Sequence, residues 1–342
     1  LKVGILSGGG DAPGTNAAIR AIVRKGIKQY SDEFIGFRDG WRGLLGGNYC
    51  ELNLESVAGI LTRGGSILGF SRTNPFKYDD GPARVVENAR RAGAEALIVI
   101  GGDDTLTVAH KMGSYGIKCV GIPKTIDNDL YGTDYTFGFN TAVTTATEAL
   151  DRLHSTAEAH QRVIILEVMG RYTGWIALEA GLAGGADVIL IPEKPFVVEE
   201  VCEYIRRRQK RGRNFSLVVV AEGAYPKGGR EIVYGSGIDE YGHVRLGGVG
   251  YFLGREIEKC MNVETRVVVL GHIQRGGTPT AFDRNLATCF GTAAIDYVHQ
   301  GLFDCLTALR GNKMVPVPLG EIVGKRKTVD PELYEIAKVF FG

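Results

Sequence analysis

Short apolar runs that do not alternate, set between amphipathic stretches, constrain this chain more than any other feature. Residues 3–6, 97–100, 119–122, 163–167, 188–191, 217–221 and 267–270 are rich in Val, Ile and Leu. Strands buried on both faces read this way. Between them, residues 12–29, 105–115, 140–160, 173–183, 199–210, 250–261 and 281–300 read as helices. The alternation predicts mainly parallel sheets joined by crossover helices, the doubly wound α/β architecture. A length of 342 residues exceeds the usual single core and suits two domains.

The formal net charge is +1, so no global field favours nucleic acid or an anionic membrane, and any anion site must be local. The six cysteines are scattered with no CxxC pair, which argues against a zinc site or a disulfide framework. No apolar run reaches the roughly 18 residues of a membrane span. The first residues read as a strand rather than a signal peptide. The expectation is a soluble, cytoplasmic protein.

Glycines, 49 in all, concentrate just after the apolar runs: Gly8-Gly9-Gly10, Gly101-Gly102, Gly170, Gly223 and Gly271. Ligands of parallel sheets bind outside the carboxyl ends of the strands, and glycine there allows close backbone approach. Any one of these could be only a tight turn; the set points to a ligand site. Gly8-Gly9-Gly10-Asp11-Ala12-Pro13-Gly14-Thr15-Asn16 runs into a helix start. A helix N-terminus offers unpaired N–H groups and about half a positive charge, so this reads as a phosphate cradle. It lacks the Gly-Lys-Ser/Thr of a Walker A loop, and Pro13 stands where GxGxxG needs glycine, which disfavours a dinucleotide-dependent dehydrogenase.

Two acidic constellations follow at strand ends. In Gly101-Gly102-Asp103-Asp104-Thr105 a carboxylate beside a phosphate cradle can hold Mg²⁺, or can cap a helix. In Pro123-Lys124-Thr125-Ile126-Asp127-Asn128-Asp129, carboxylates, a lysine and a hydroxyl can bind metal, orient an alcohol and accept its proton, as phosphoryl transfer requires. Asp-Asn-Asp also occurs in plain turns. Arg162, Arg171, Arg266 and Arg275, with His272, lie at strand ends or starts, beside Met169, Gly170 and Glu222, and suggest a second anion such as a phosphorylated sugar, or stabilisation of a transferring group; surface or ion-paired arginine is the alternative for each. The basic run 206–213 reads as a solvated helix end or an anion site. Residues 225–248 read as an inserted hairpin or loop.

Taken together, the segments 8–16, 101–105, 123–129, 167–171 and 270–277 resemble the 6-phosphofructokinases, in family order and over essentially the whole chain. The resemblance implies two Rossmann-like domains with the active site in the interdomain cleft. Residues 1–138 plus about 274–320 would form the donor domain, and 139–273 plus about 321–342 the fructose 6-phosphate domain. It implies a glycolytic enzyme that phosphorylates the 1-hydroxyl of fructose 6-phosphate. Asp127 matches the general base; Lys124, Thr125 and Arg171 match catalytic positions. Asp103 and Asp129 match metal positions, implying Mg²⁺. Gly10 and Arg72 match donor contacts. Thr125, Met169, Gly170, Arg171, Glu222, His272 and Arg275 match sugar-phosphate contacts. Arg162 and Arg266 match arginines that complete a neighbouring subunit's site, implying a homodimer or homotetramer.

The resemblance also bears on the donor. The Gly-Gly-Asp-Gly of ATP-using members becomes Gly-Gly-Asp-Asp, so Asp104 falls where an α-phosphate would lie. Like charges about 4 Å apart repel by about 1 kcal/mol in water and about 4 near a protein surface. Lys124 replaces a glycine and can contact the remaining phosphate. Both changes resemble the pyrophosphate-dependent branch, with an ATP-dependent enzyme as the nearest rival. A non-catalytic sugar-phosphate sensor is the rival from another class, and the retained Asp103, Asp127 and Arg171 count against it. Arg20, Arg24, Asp187, Arg211 and Arg213 match part of the family's allosteric nucleotide site, but Leu54, Gly59 and His154 do not. Titration with ADP or phosphoenolpyruvate is therefore expected to shift sugar affinity by less than about tenfold; a larger shift would show that the partial site suffices.

Overall fold

The computed structural model describes residues 1–238 and 241–342, with the backbone alone described at 234–238, 244 and 245. The strands are β1 (Lys2–Ser7), β2 (Glu33–Phe37), β3 (Tyr49–Leu52), β4 (Ala96–Gly101), β5 (Cys119–Thr125), β6 (Phe137–Gly138), β7 (Val163–Val168), β8 (Val188–Leu190), β9 (Ser216–Ala221), β10 (Val233–Ile238), β11 (Val244–Leu246), β12 (Thr265–Val269), β13 (Cys305–Arg310) and β14 (Lys313–Pro318). The helices are α1 (Thr15–Lys25), α2 (Trp41–Gly46), α3 (Gly81–Arg91), α4 (Asp103–Gly113), α5 (Phe139–His160), α6 (Trp175–Ala183), α7 (Val198–Lys210), α8 (Val249–Cys260), α9 (Ala281–His299), α10 (Leu319–Ile322) and α11 (Pro331–Lys338). Among the described residues no helix is long and apolar enough to cross a membrane.

The chain divides into two units: residues 1–141, 239–243 and 275–326, and residues 142–238, 244–274 and 327–342. The sheet of the first unit has the order β14-β13-β5-β4-β1-β2-β3. Its interior pairs are parallel, and only the edge strands β3 and β14 run antiparallel. Apolar clusters cover both faces. Helices α1 and α9 pack on one with Ile19, Ile22, Phe290 and Ile295, and α2, α3 and α4 on the other with Leu44, Val85, Leu106 and Met112. That double burial is why β1, β4 and β5 lack a polar face. The sheet of the second unit, β12-β7-β9-β8, is wholly parallel.

Both sheets contain a switch point. From β1 the chain goes to β2 on one side and then to β4 on the other, and in the second unit β7 similarly lies between β9 and β12. Crossovers diverge there and leave a crevice at the carboxyl ends. The residues after β1, β4, β7 and β12 are those of the glycine-bearing motifs.

Several expectations shift in detail. The helix expected from residue 12 starts at Thr15, because Gly14 takes a left-handed N-cap conformation with φ 107°. It is α-helical only to Lys25 and closes with a π turn, Gly26–Tyr30. The 225–248 insertion contains the antiparallel pair β10–β11, as the hairpin reading expected, with residues 239 and 240 outside the described set. The basic run forms the end of α7, where Arg208 pairs with Asp187 at 2.6 Å and Arg211 donates to the Gly342 carbonyl.

Asp283 fixes the start of α5. It is fully buried in the first turn of α9, and its Oδ2 accepts from Thr141 N at 2.7 Å and Thr141 Oγ1 at 2.5 Å. One carboxylate thus serves the N-termini of two helices, where negative charge is favoured. Asp283→Ala is expected to cost about 2 kcal/mol, since it strands a buried N–H, and Asp283→Asn less. Thermal melting checks this; unchanged melting in both variants would remove Asp283 from the fold's support.

Candidate active site

The first unit assembles its site from the ends of β1, β4 and β5. Gly8 N donates to Ile100 O at 2.9 Å, tying the β1 loop to β4. Gly9 N donates to Ser71 O at 2.9 Å, which brings the Phe70-Ser71-Arg72 segment to the same loop. Asn16, buried at the start of α1, holds the residues that lead into that segment: its side chain donates to Arg63 O and Gly64 O and accepts from Ile67 N. Arg72 itself is exposed.

Lys124 is the central charge of this region. It is 2% exposed, its Nζ donates to Gly10 O, and it lies 5.3 Å from the centre of the Phe70 ring. Arg275 Nη1 donates to Asp11 O at 3.2 Å, so a second cation reaches the same loop. Burial pushes the Lys124 ammonium down to about 7; Arg275 and Arg72 push the same way, while Asp11 and Asp127 oppose. A cationic nest around a glycine loop suits an incoming phosphate, whose charge would restore the ammonium.

The acidic residues stand beside it. Asp103 and Asp104 occupy the first turn of α4, whose N-cap is Gly102. Neither carboxylate is therefore the cap that the sequence left open. In the β5 turn, Asn128 adopts φ 52°, its Oδ1 accepts from Thr136 N at 3.1 Å, and Thr125 Oγ1 accepts from Asp127 N at 3.1 Å. Asparagine tolerates this left-handed conformation, and the turn carries Asp127 and Asp129 on either side of it. Burial, then Asp127, then Asp103 push the Asp129 carboxyl up, and burial pushes Asp103 up. Arg326 counters both, with its Nε 3.6 Å from Asp129 Oδ2.

In the second unit the ends of β7, β9 and β12 are laced together. Gln274, fully buried, accepts from Met169 N at 3.4 Å and donates to Gly271 O at 3.1 Å, bridging the segments after β7 and β12. Glu222 N donates to Val168 O at 2.8 Å, and Gly223 N to Gly170 O at 3.1 Å. A Cβ on Gly223 would collide with the Arg171 carbonyl, so glycine is required there. Arg171 stacks over the Tyr172 ring at 5.6 Å. Its loop is closed by Glu193, which accepts from Gly174 N at 3.0 Å and Val329 N at 2.9 Å. His272 is exposed on the short turn after β12.

Arg162 and Arg266 lie elsewhere in this unit. Arg162 directly precedes β7 and Arg266 is the second residue of β12, about 20 Å and about 10 Å from the respective carboxyl ends. Glu264 joins them, accepting from Arg162 Nε at 2.5 Å and also from Arg266.

The phosphofructokinase family pattern matches residues 2–298. The chain belongs to the phosphofructokinase family. It is 58% identical over 343 residues to the pyrophosphate--fructose 6-phosphate 1-phosphotransferase of Streptomyces coelicolor, covering all of both chains. It is 50% identical over 338 residues to the ATP-dependent 6-phosphofructokinase 3 of the same organism, covering 99% of each. Among solved structures, phosphofructokinase from Pichia pastoris in the T-state matches with TM-score 0.85 and 32% identity, over 99% of this chain and 36% of that one.

Three supporting residues escaped the sequence reading. Arg326 sits in an unremarkable basic stretch and is placed by an antiparallel bridge to Leu130. Gln274 lay inside a quoted motif, yet nothing in its type announced a bridging role. Glu193 follows β8 with no glycine or charge pattern around it. The Lys124 environment carries a testable consequence. Above pH 7 the buried amine is largely neutral, and a polyanion must bring its proton back. Binding of pyrophosphate at pH 8 is expected to take up roughly one more proton in the wild type than in Lys124→Gly. Calorimetry in two buffers of different ionisation enthalpy reads this; equal uptake would take Lys124 away from the anion.

Proposed function

We propose that this enzyme transfers a phosphoryl group from magnesium pyrophosphate to the 1-hydroxyl of fructose 6-phosphate, reversibly, giving fructose 1,6-bisphosphate and phosphate. The observation that carries the reading is the buried Lys124 ammonium under the Gly8–Gly10 loop, with the carboxylates Asp103, Asp127 and Asp129 at adjoining strand ends of the same sheet. The first unit handles the donor and the second the sugar phosphate. The relatives named for pyrophosphate and for ATP at 58% and 50% identity support the acceptor chemistry in common and leave the donor to Asp104 and Lys124.

Asp103 and Asp129 fit a magnesium ion. Burial raises both carboxyls, and Asp127 and Asp103 raise Asp129 further, a penalty that a cation relieves. Among the described residues no cluster of three or more potential ligands occurs; the two carboxylates would hold the ion together with substrate phosphates. When bound, magnesium would neutralise charge developing on the transferred group. The remaining steps belong to the chain. Asp127, oriented by the Thr125 hydroxyl and the Asn128 turn, accepts the proton of the sugar hydroxyl. Lys124 and the N–H groups of the Gly10 loop hold the donor phosphates, with Arg72 at their edge. Arg171 stabilises charge on the transferring group. Met169, Gly170, Glu222 and His272 bind the sugar phosphate, and Arg275 stands between these roles at the Asp11 carbonyl.

Arg162 and Arg266 reach a neighbouring subunit's sugar-phosphate site in a homodimer or homotetramer. Their place at the amino ends of β7 and β12 supports this, because a parallel sheet's own ligands lie at the opposite ends.

Side-by-side assays with pyrophosphate and ATP test the donor, with pyrophosphate expected to be used at least about a hundredfold better, as a few kcal/mol of repulsion at Asp104 requires. Preference for ATP would overturn the donor assignment. Asp127→Ser is expected to lower kcat by about a hundredfold or more with little change in fructose 6-phosphate affinity; near-normal turnover would overturn the base.

A further inference from the structure

The insertion between β9 and α8 has no part in the chemistry described so far, yet its turn reaches donor-side residues. The strands β10 and β11 group with the second unit, whereas turn residues 241–243 group with the first. There, His243 Nδ1 lies 3.7 Å from Asp104 Oδ2. Tyr241 donates its hydroxyl to Thr73 O at 2.9 Å, next in sequence to Arg72. The two rings stack on each other, 6.4 Å apart and inclined by 23°. Gly242 between them has φ 89°, a conformation that residues with a Cβ avoid, and it brings both rings to one side of the turn. Tyr241 also packs on the apolar cluster that seats Leu106, Val108 and Met112 of α4.

We propose that Tyr241 and His243 are positioning residues for the donor: together they brace the Asp104 carboxylate and the Arg72–Thr73 segment, and so set the affinity for a short inorganic polyphosphate. The proposal rests on the reading of Asp104 as the residue that limits donor length. Asp104 excludes a longer donor by its charge, but the same charge opposes any phosphate beside it. An imidazole beside Oδ2 fixes where that carboxylate sits relative to a donor that stops at Asp104, while the ring itself narrows the path beyond it. The Tyr241 hydroxyl keeps the imidazole in place by anchoring the turn to a backbone carbonyl rather than to a mobile side chain.

Donor kinetics of His243→Ala, Asp104→Asn and the double variant test this, each at saturating fructose 6-phosphate. His243→Ala is expected to raise KM for pyrophosphate about tenfold, with kcat and the KM for fructose 6-phosphate within about twofold of wild type, because only donor binding is touched. In the Asp104→Asn background the same substitution is expected to change donor KM by less than about twofold, since residues acting through one another are not additive. Tyr241→Phe removes a single oxygen and is expected to move donor KM in the same direction, which keeps the test sound if His243→Ala folds poorly. Equal effects of His243→Ala with and without the Asp104 carboxylate, or unchanged donor KM in both His243→Ala and Tyr241→Phe, would overturn the brace. The donor reading fails separately: if the wild type prefers ATP, Asp104 is not the limit proposed for it, whatever His243 does. If the wild type uses pyrophosphate and the cycle is additive, the brace alone is wrong.

Discussion

Parallel pairing of β1 with β4, and of β7 with β12, is the constraint on which the rest of the molecule depends. Parallel strands bring their carboxyl ends to one edge, and a strand order that reverses direction beside β1 and β7 opens a crevice at that edge. Everything with chemistry in it follows from this arrangement. Gly8–Gly10, Asp103 and Asp104 emerge next to one another in the first unit though they lie far apart in the chain. Met169, Arg171 and His272 do so in the second. The same geometry places Arg162 and Arg266 toward the amino ends of β7 and β12, away from the glycine-bearing edge of their sheet.

The first unit gathers charges of both signs around the buried Lys124. Lys124 tolerates burial because Gly10 O accepts from it and because Asp11 and Asp127 are near; Arg275 and Arg72 work against it. The carboxylates Asp103 and Asp129 are strained in the opposite sense, with Arg326 as partial relief. Such an arrangement is costly for the fold alone and becomes favourable when a polyanion and a cation arrive together. The turn at 241–243 adds His243, 3.7 Å from Asp104, to this set.

Legibility in the sequence tracked burial. Strands β1, β4, β5, β7 and β9, covered on both faces, stood out as apolar runs. The edge strands β3 and β14 did not, because Tyr49, Glu51, Lys313 and Pro316 meet solvent and interrupt the pattern. Strands β2 and β13 went unread as well, being short or mixed with Thr and Gly. Gly14 moved the start of α1 by a left-handed cap that composition alone does not reveal. The charged residues of the motifs were legible because their chemistry is local: glycine, carboxylate and lysine within a few positions of a strand end.

What the sequence by itself determined was the architecture class and, as candidates for phosphoryl transfer, the strand-end motifs that hold Asp103, Lys124, Asp127 and Arg171. The architecture follows from periodicity and the motifs from residue types adjacent in the chain, which are one-dimensional properties; the role of each residue is what the family resemblance implies. Only the tertiary structure decided that Lys124 is buried against Gly10, that Arg326 faces Asp129, that Gln274 bridges the ends of β7 and β12, and that His243 meets Asp104. Each of those contacts joins residues from 105 to 197 positions apart. No pattern of neighbours encodes such a pairing; it exists only once parallel strands and their crossovers have folded the distant segments onto one edge.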